Sequence, residues 1–254
     1  MIKKINAIVT GGSSGLGEAT VRKILERGGN VSILDTQEDK AKVLSEEFGK
    51  ACTFFYTDVT NEKSINEALT SAISKYQFIN LLVNCAGIGI ASKVIGKKEL
   101  HDSNIFKKII NVNLVGTFNV LKLVAEKMIE NQPDEDNFRG AVINTASIAA
   151  FDGQIGQAAY SASKGGIVSL TLPLAREFAR YGVRVCTIAP GLFETPMMSG
   201  LPEKAYQALV DSTLFPKRLG HPKEFAKLVL SIFENNMLNG EVIRLDGSLR
   251  LSPK

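Results

Sequence analysis

Short apolar runs, often rich in β-branched residues, alternate along this chain with longer amphipathic stretches. Ile5 to Thr10, Val31 to Asp35, Cys52 to Tyr56, Asn80 to Asn84, Ala141 to Thr145, Val183 to Ala189 and Glu241 to Leu245 read as strands. Between them, Gly15 to Arg27, Glu38 to Phe48, Ser64 to Tyr76, Phe106 to Asn131, Gln157 to Tyr181 and Pro222 to Asn235 carry the helical period. Strands that are apolar throughout are covered on both faces, and helical spacers supply parallel crossovers. The pattern predicts an α/β fold, a doubly wound parallel sheet of seven strands in a single domain over residues 1–254. Ligands of such sheets bind beyond the carboxyl ends of the strands, so residues at strand ends carry the most weight.

Three segments break the alternation. Ile88 to Asn104 leaves the carboxyl end of the fourth strand and is placed to rim a substrate site; Asn131 to Gly140 enters the fifth strand from the opposite edge and reads as a surface excursion. Pro190 to Pro216 is punctuated by proline and glycine, with a short helix near Glu203 to Val210, and suits a lid over the site.

Composition narrows the function classes. At 44% hydrophobic and 22% charged, the 254 residues provide ample core material. The 30 basic residues against 26 acidic ones give +4, with lysines scattered among acids, and the pairs Lys3-Lys4, Lys97-Lys98 and Lys107-Lys108 lack interleaved aromatics. No nucleic-acid partner is expected. Cys52, Cys85 and Cys186 are odd in number and lie in or beside apolar runs, which argues against a disulfide framework and for a reducing compartment. His101 and His221 are far from each other and from any cysteine, so no metal site is expected. No apolar run approaches the length of a membrane span, and the first strand begins by Ile5. A soluble, cytoplasmic protein is expected, or a mitochondrial matrix one if a presequence was removed.

The chemistry begins at the first strand end. Thr10-Gly11-Gly12-Ser13-Ser14-Gly15-Leu16-Gly17 joins a strand to a helix. Gly11 permits the turn, Gly15 lets backbone approach a pyrophosphate, Gly17 allows close helix packing, and the helix N-terminus attracts an anion. An ordinary strand-to-helix loop is the alternative. A following acid favours dinucleotide binding: Asp35 ends the second strand eighteen residues after Gly17, where its carboxylate accepts ribose hydroxyls and repels a 2′-phosphate. Thr36 and Gln37 bring no positive charge, so NAD is expected over NADP. Asp58-Val59 reads equally as an adenine contact or as the turn before Thr60. Tyr160 and Lys164 lie one helical turn apart with Ser147 thirteen residues upstream. A lysine ammonium beside a phenol favours phenolate and is expected to lower the tyrosine from its usual pKa near 10, towards where a general acid/base works best. Ser147 is placed to hydrogen-bond a substrate oxygen. A solvated helix face is the competing reading of Tyr-x-x-x-Lys.

Taken together, Thr10 to Gly17, Asn84-Cys85-Ala86-Gly87, Asn113, Ser147, Tyr160-x-x-x-Lys164 and Pro190-Gly191 through Thr195 resemble the short-chain dehydrogenase/reductase family in order and spacing, over almost the whole chain. The resemblance implies a Rossmann-type fold with Tyr160 as acid/base, Lys164 lowering its pKa and holding the nicotinamide ribose, Ser147 on the reacting oxygen and Asn113 anchoring a relay water. It places the cofactor against Gly11, Ser14, Gly15, Leu16, Gly17, Asp35, Asp58, Val59, Asn84, Cys85, Ala86 and Gly87, and against Tyr160, Lys164, Pro190, Gly191, Phe193 and Thr195. The substrate falls to Ser147, Gln157 and Tyr160. Cys85 stands where the family usually has a second asparagine and is expected to pack without a redox role. The runs Asn144 to Phe151, Gly156 to Tyr160, Ala189 to Phe193 and Leu238 to Gly247 are similar to the type 2 3-hydroxyacyl-CoA dehydrogenases. That implies NAD-linked oxidation of an acyl-CoA alcohol and a homotetramer paired through the helices at 106–131 and 157–181. A 3-oxoacyl carrier-protein reductase, a hydroxysteroid dehydrogenase and a non-catalytic scaffold in an RNA-processing complex are the alternatives.

Overall fold

A computed structural model of the chain describes residues 4–196 and 203–253. Lys3 and residues 197–202, the latter within the expected lid, lie outside the described residues. The seven strands are β1 Asn6–Thr10, β2 Asn30–Asp35, β3 Cys52–Tyr56, β4 Leu81–Asn84, β5 Gly140–Thr145, β6 Val183–Pro190 and β7 Val242–Leu245. They form one sheet in the order β3-β2-β1-β4-β5-β6-β7, and every adjacent pair is parallel. The predicted architecture is the observed one. Reversal of strand order falls between β1 and β4, so the ends of those two strands open the crevice in which such folds place a dinucleotide.

The helices are α1 Gly15–Glu26, α2 Glu38–Phe48, α3 Glu62–Tyr76, α4 Ser103–Ile110, α5 Thr117–Ile129, α6 Ala158–Ala179, α7 Glu203–Ser212 and α8 Pro222–Glu234. Central strands pack on two separate apolar layers, because successive side chains point to opposite faces. Ala7 and Val9 join α1, α2 and α8 on one side, while Ile8, Leu82 and Val142 join α3, α5 and α6 on the other. Leu16, Ile24 and Leu25 on α1 face Phe225, Val229 and Ile232 on α8 within the first layer.

The helix expected over Phe106 to Asn131 starts earlier and is interrupted. Asp102 caps it, its carboxylate accepting from Asn104 N at 2.8 Å, and a π-helical turn at Asn111–Gly116 separates α4 from α5. The extra residue of a π-turn is common at functional sites. By length and composition the Ser103–Ile129 run is also apolar enough to cross a membrane, contrary to the sequence estimate, but half of its most apolar window is buried within the protein. It has the character of a core helix.

Candidate active site

The first cradle is built by close backbone approach. Gly11, at φ +61°, turns the chain out of β1, and a Cβ there would lie 2.8 Å from Ala86 N, so the loops after β1 and β4 touch. At Gly17 a Cβ would meet Gly11 O at 2.1 Å; any side chain would push α1 off the turn. A Cβ on Gly15, at φ +56°, would face Thr195 and Pro196 at 3.5 Å. The N-terminus of α1 therefore confronts the loop after β6 across a gap that glycine keeps open. Ser14, at the N-cap, makes no side-chain capping bond, and Leu16 turns its side chain to the core. The exposed donors of this helix end are backbone, as a pyrophosphate site requires.

Asp35 is 7% exposed at the end of β2. Its Oδ2 accepts from Ser13 N at 3.1 Å and from the Ser13 hydroxyl, and its Oδ1 accepts from Gln37 N at 3.0 Å. The carboxylate is thus aimed by Ser13, a residue sequence reasoning passed over although it sits inside the glycine run. With four lone-pair sites, an ionised Asp35 keeps capacity for ribose hydroxyls. These features fit a dinucleotide lacking a 2′-phosphate.

Several other residues expected against the cofactor also brace the strand ends. Asn84 is buried; its Nδ2 donates to Asn144 Oδ1 at 3.0 Å and its Oδ1 accepts from Thr10 Oγ1 at 3.4 Å, tying β1, β4 and β5 together. Thr10 Oγ1 in turn accepts from Cys85 N and Ala86 N, fixing the loop through Gly87. Cys85 Sγ lies 3.5 Å from Thr145 Oγ1, and burial pushes the thiol up to about 11, leaving no thiolate at neutral pH. Asp58 Oδ1 accepts from Thr60 N and Oγ1, so Asp58 holds the turn, while Val59 packs on Gly116. The Phe193 ring is 5% exposed and packs against Gly220, where the loop after β6 bridges to residue 220, so only the backbone of this residue is left to face a cofactor. Pro190 closes β6, and Gly191 donates its N–H to Leu245 O at 2.9 Å.

The second half of the site gathers at the ends of β5 and β6. Ser147 follows β5, its Oγ accepts from Ala149 N at 3.1 Å, and its side chain lies close enough to the Tyr160 phenol to act on its pKa. Accepting from the backbone leaves the serine proton free to donate. Lys164, 5% exposed, donates to Thr145 O at 2.8 Å, with Nζ 5.8 Å from the Tyr160 ring centroid. Four residues of α6 therefore place phenol and amine on one face, as predicted.

Their electrostatics differ from prediction. Burial raises the Tyr160 pKa, with the Ser147 hydrogen bond opposing, and burial draws Lys164 down to about 8. Desolvation penalises each charged form, and at Tyr160 only the Ser147 side chain opposes it. In the protein alone the phenol is therefore protonated at neutral pH.

Asn113 is fully buried in the π-turn. Its Oδ1 accepts from Ile88 N at 2.8 Å, and its Nδ2 donates to Ile88 O at 2.9 Å and Ser163 Oγ at 3.0 Å. Ser163 Oγ donates to Tyr160 O at 2.7 Å. Both amide protons are used, so the side chain couples the loop after β4 to the tyrosine's turn. Gln157 likewise closes its own turn, Oε1 accepting from Gln154 N at 3.2 Å. Cys52, Cys85 and Cys186 are free thiols, and among the described residues no cluster of His, Cys, Asp or Glu forms a metal-binding group.

The chain is similar over nearly its whole length to proteins of named activity. A 3-hydroxyacyl-CoA dehydrogenase type-2 from Bos taurus is 51% identical over 99% of this chain and 97% of its own. The crystal structure of a 3-hydroxyacyl-CoA dehydrogenase type-2 from Mycobacterium avium superposes with a TM-score of 0.96 at 41% identity, covering both chains completely. A 3-ketoacyl-(acyl-carrier-protein) reductase from Brucella melitensis, complexed with NADH, has a TM-score of 0.85 at 28% identity over 98% of each chain. The short chain dehydrogenase family profile matches residues 5–205, which include the glycine turn, Asp35, Ser147, Tyr160 and Lys164. With its strand-end chemistry and most of its length matched, the chain belongs to the short-chain dehydrogenase family.

Proposed function

We propose that the protein interconverts a secondary alcohol and a ketone with NAD, and that its substrate is a 3-hydroxyacyl-CoA. The observation that carries the reaction is the Ser147–Tyr160–Lys164 cluster, with Ser147 near enough to the phenol to oppose its rise in pKa and Lys164 buried one turn along α6, at the carboxyl edge of a sheet whose first strand ends in a dinucleotide cradle. Acyl-CoA is supported by the 51% identity to a relative named for that substrate. NAD is supported by the buried Asp35 and by the NADH in the reductase complex.

Ser147 donates to the substrate oxygen and Tyr160 shares it. In oxidation the Tyr160 phenolate takes the hydroxyl proton as the C–O bond becomes C=O, and the electron pair of the C–H bond leaves as hydride. NAD supplies the hydride acceptor. In reduction the same phenol, protonated by preference in this buried site, gives its proton to the ketone oxygen. Lys164 stabilises phenolate charge, and Asn113 with Ser163 holds the backbone from which Tyr160 projects.

Oxidation of 3-hydroxybutyryl-CoA, compared with the acyl-carrier-protein thioester and a steroid alcohol, tests the substrate by the rise of reduced-cofactor absorbance. The acyl-CoA is expected to react fastest. Preference for the carrier-protein thioester with NADP would establish the reductase reading instead, and silence with every alcohol would favour a scaffold. Asp35→Ala is expected to weaken NAD about 10- to 100-fold, the worth of charge-assisted ribose hydrogen bonds, and to leave NADP no weaker. An unchanged ratio of the two dissociation constants would overturn the ribose assignment.

We further propose a homotetramer. Phe106, Val115 and Phe118 on the α4–α5 run and Leu172 on α6 are each 39–45% exposed, an apolar set suited to pairing with another copy. Three free thiols, two buried and one half-buried, suit a reducing compartment, the cytoplasm or a mitochondrial matrix.

A further inference from the structure

Arg244, on β7, ties the turn that follows its own strand to a segment 92 residues away in sequence. Its Nη1 and Nη2 donate to the two carboxylate oxygens of Asp152 at 3.2 and 2.5 Å, Nη2 also donates to Leu249 O at 3.0 Å, and Nε donates to Asp246 Oδ2 at 2.7 Å. The guanidinium lies over the Phe151 ring, 5.2 Å from its centroid. Arginine and Asp152 side chains are only 20% and 17% exposed. A forked pair so shielded holds a geometry that a solvated pair does not.

Asp152 lies in the segment that joins Ser147 to Tyr160. After the 3-10 turn Ile148–Ala150, this stretch has no regular structure until α6 starts at Ala158. It is held instead by the end of the chain: Ile155 N donates to Pro253 O at 3.0 Å, and Gln154 Nε2 donates to Ser252 O at 3.0 Å. Arg244 places that tail through Leu249 O and grips the segment through Asp152. Gly156 O also accepts from Ser92 N at 2.8 Å, so the loop after β4 rests on the same segment.

We propose that Arg244, Asp152 and the C-terminal residues through Pro253 are positioning residues for the reaction, a clamp on residues 151–157 that fixes Ser147 relative to Tyr160. The inference rests on the assignment of those two residues to the reacting oxygen. Because a displacement of 1 Å at a reacting group costs about 100-fold in rate, a clamp on an irregular segment between two such groups has a direct kinetic consequence.

Two variants reach the clamp from opposite sides: Asp152→Asn, which removes the charge, and a chain ending at Leu251, which removes the acceptor carbonyls. Each is expected to lower kcat about 10- to 100-fold with the NADH dissociation constant unchanged, to be no worse combined than alone, and to recover in Asp152→Glu. Hydrogen exchange gives a second readout. Amides of residues 151–157 should exchange faster in both variants while those of β1, β4 and β5 keep their rates. Unchanged exchange at 151–157, unchanged kcat in a loosened segment, or equal acceleration across the strands would each overturn the clamp. If the unaltered protein oxidises none of the alcohols, the functional reading fails, while the exchange comparison still decides whether the clamp exists.

Discussion

Tyr160→Phe is expected to remove NAD-dependent oxidation of 3-hydroxybutyryl-CoA while leaving fold and cofactor binding in place. The substitution deletes one oxygen from a ring that is already packed on α6, so it opens no large cavity. What disappears is the hydroxyl beside Ser147, the group that takes the proton. Positioned acid/base groups contribute about 10²- to 10⁴-fold, and a residue that also binds the reacting oxygen falls at the upper end. Since burial raises this phenol, the protein rests in its protonated form, ready for ketone reduction. Oxidation by the unaltered protein should therefore climb as pH rises and the phenolate fraction grows. Any residual rate of Tyr160→Phe should lack that climb. Full activity in the variant, with NADH binding intact, would sink the assignment of Tyr160.

Which parts of this site were legible follows from the range of the interactions. Each strand was readable because a parallel sheet covered on both faces demands continuous apolar runs, and Val83, Ile143 and Ile188 pack in one layer as that pattern requires. Glycine positions were readable because a Cβ at Gly17 collides with Gly11 within the same turn. The Tyr160–Lys164 face is a local helical repeat. Side-chain direction at Phe193 was not legible: it depends on a bridge to residue 220, across a segment that no local pattern constrains. Asn113 drew notice as a polar residue inside a helix, but its commitment to Ile88 and Ser163 needs the third dimension. Ser13 was hidden beside the glycines, and only the position of Asp35 gives it a role. Arg244 and Asp152 are 92 residues apart, and their pairing has no signature along the chain. The electrostatics failed for a different reason, since spacing shows that a charge is near but not how much water both groups have lost.

Lys164→Met is expected to cost about 100-fold in kcat without lowering stability at neutral pH. With the 5.8 Å from Nζ to the ring centroid taken as the charge separation and an effective dielectric of about 20, the ammonium stabilises phenolate by about 3 kcal/mol, which is about two orders of magnitude in rate. The fold, by contrast, bears a cost for this charge. Burial brings the amine from 10.5 to about 8, so at neutral pH, where folded and unfolded chains both carry the proton, the native state is destabilised by about 3 kcal/mol. Replacing it with an apolar chain relieves that cost, against about 1–3 kcal/mol for leaving Thr145 O without its donor. The sign with pH follows: between about 8 and 10.5 the unfolded chain binds more protons at this residue than the native chain, so the unaltered protein gains stability relative to the variant as pH rises through that window. Denaturant unfolding of both proteins at pH values on either side of the window, alongside kcat, measures both effects. Wild-type turnover in Lys164→Met, or a stability difference that does not change with pH, would remove the buried lysine from the mechanism. The expected combination, lower rate with undiminished stability, is the mark of a charge kept in the core for chemistry.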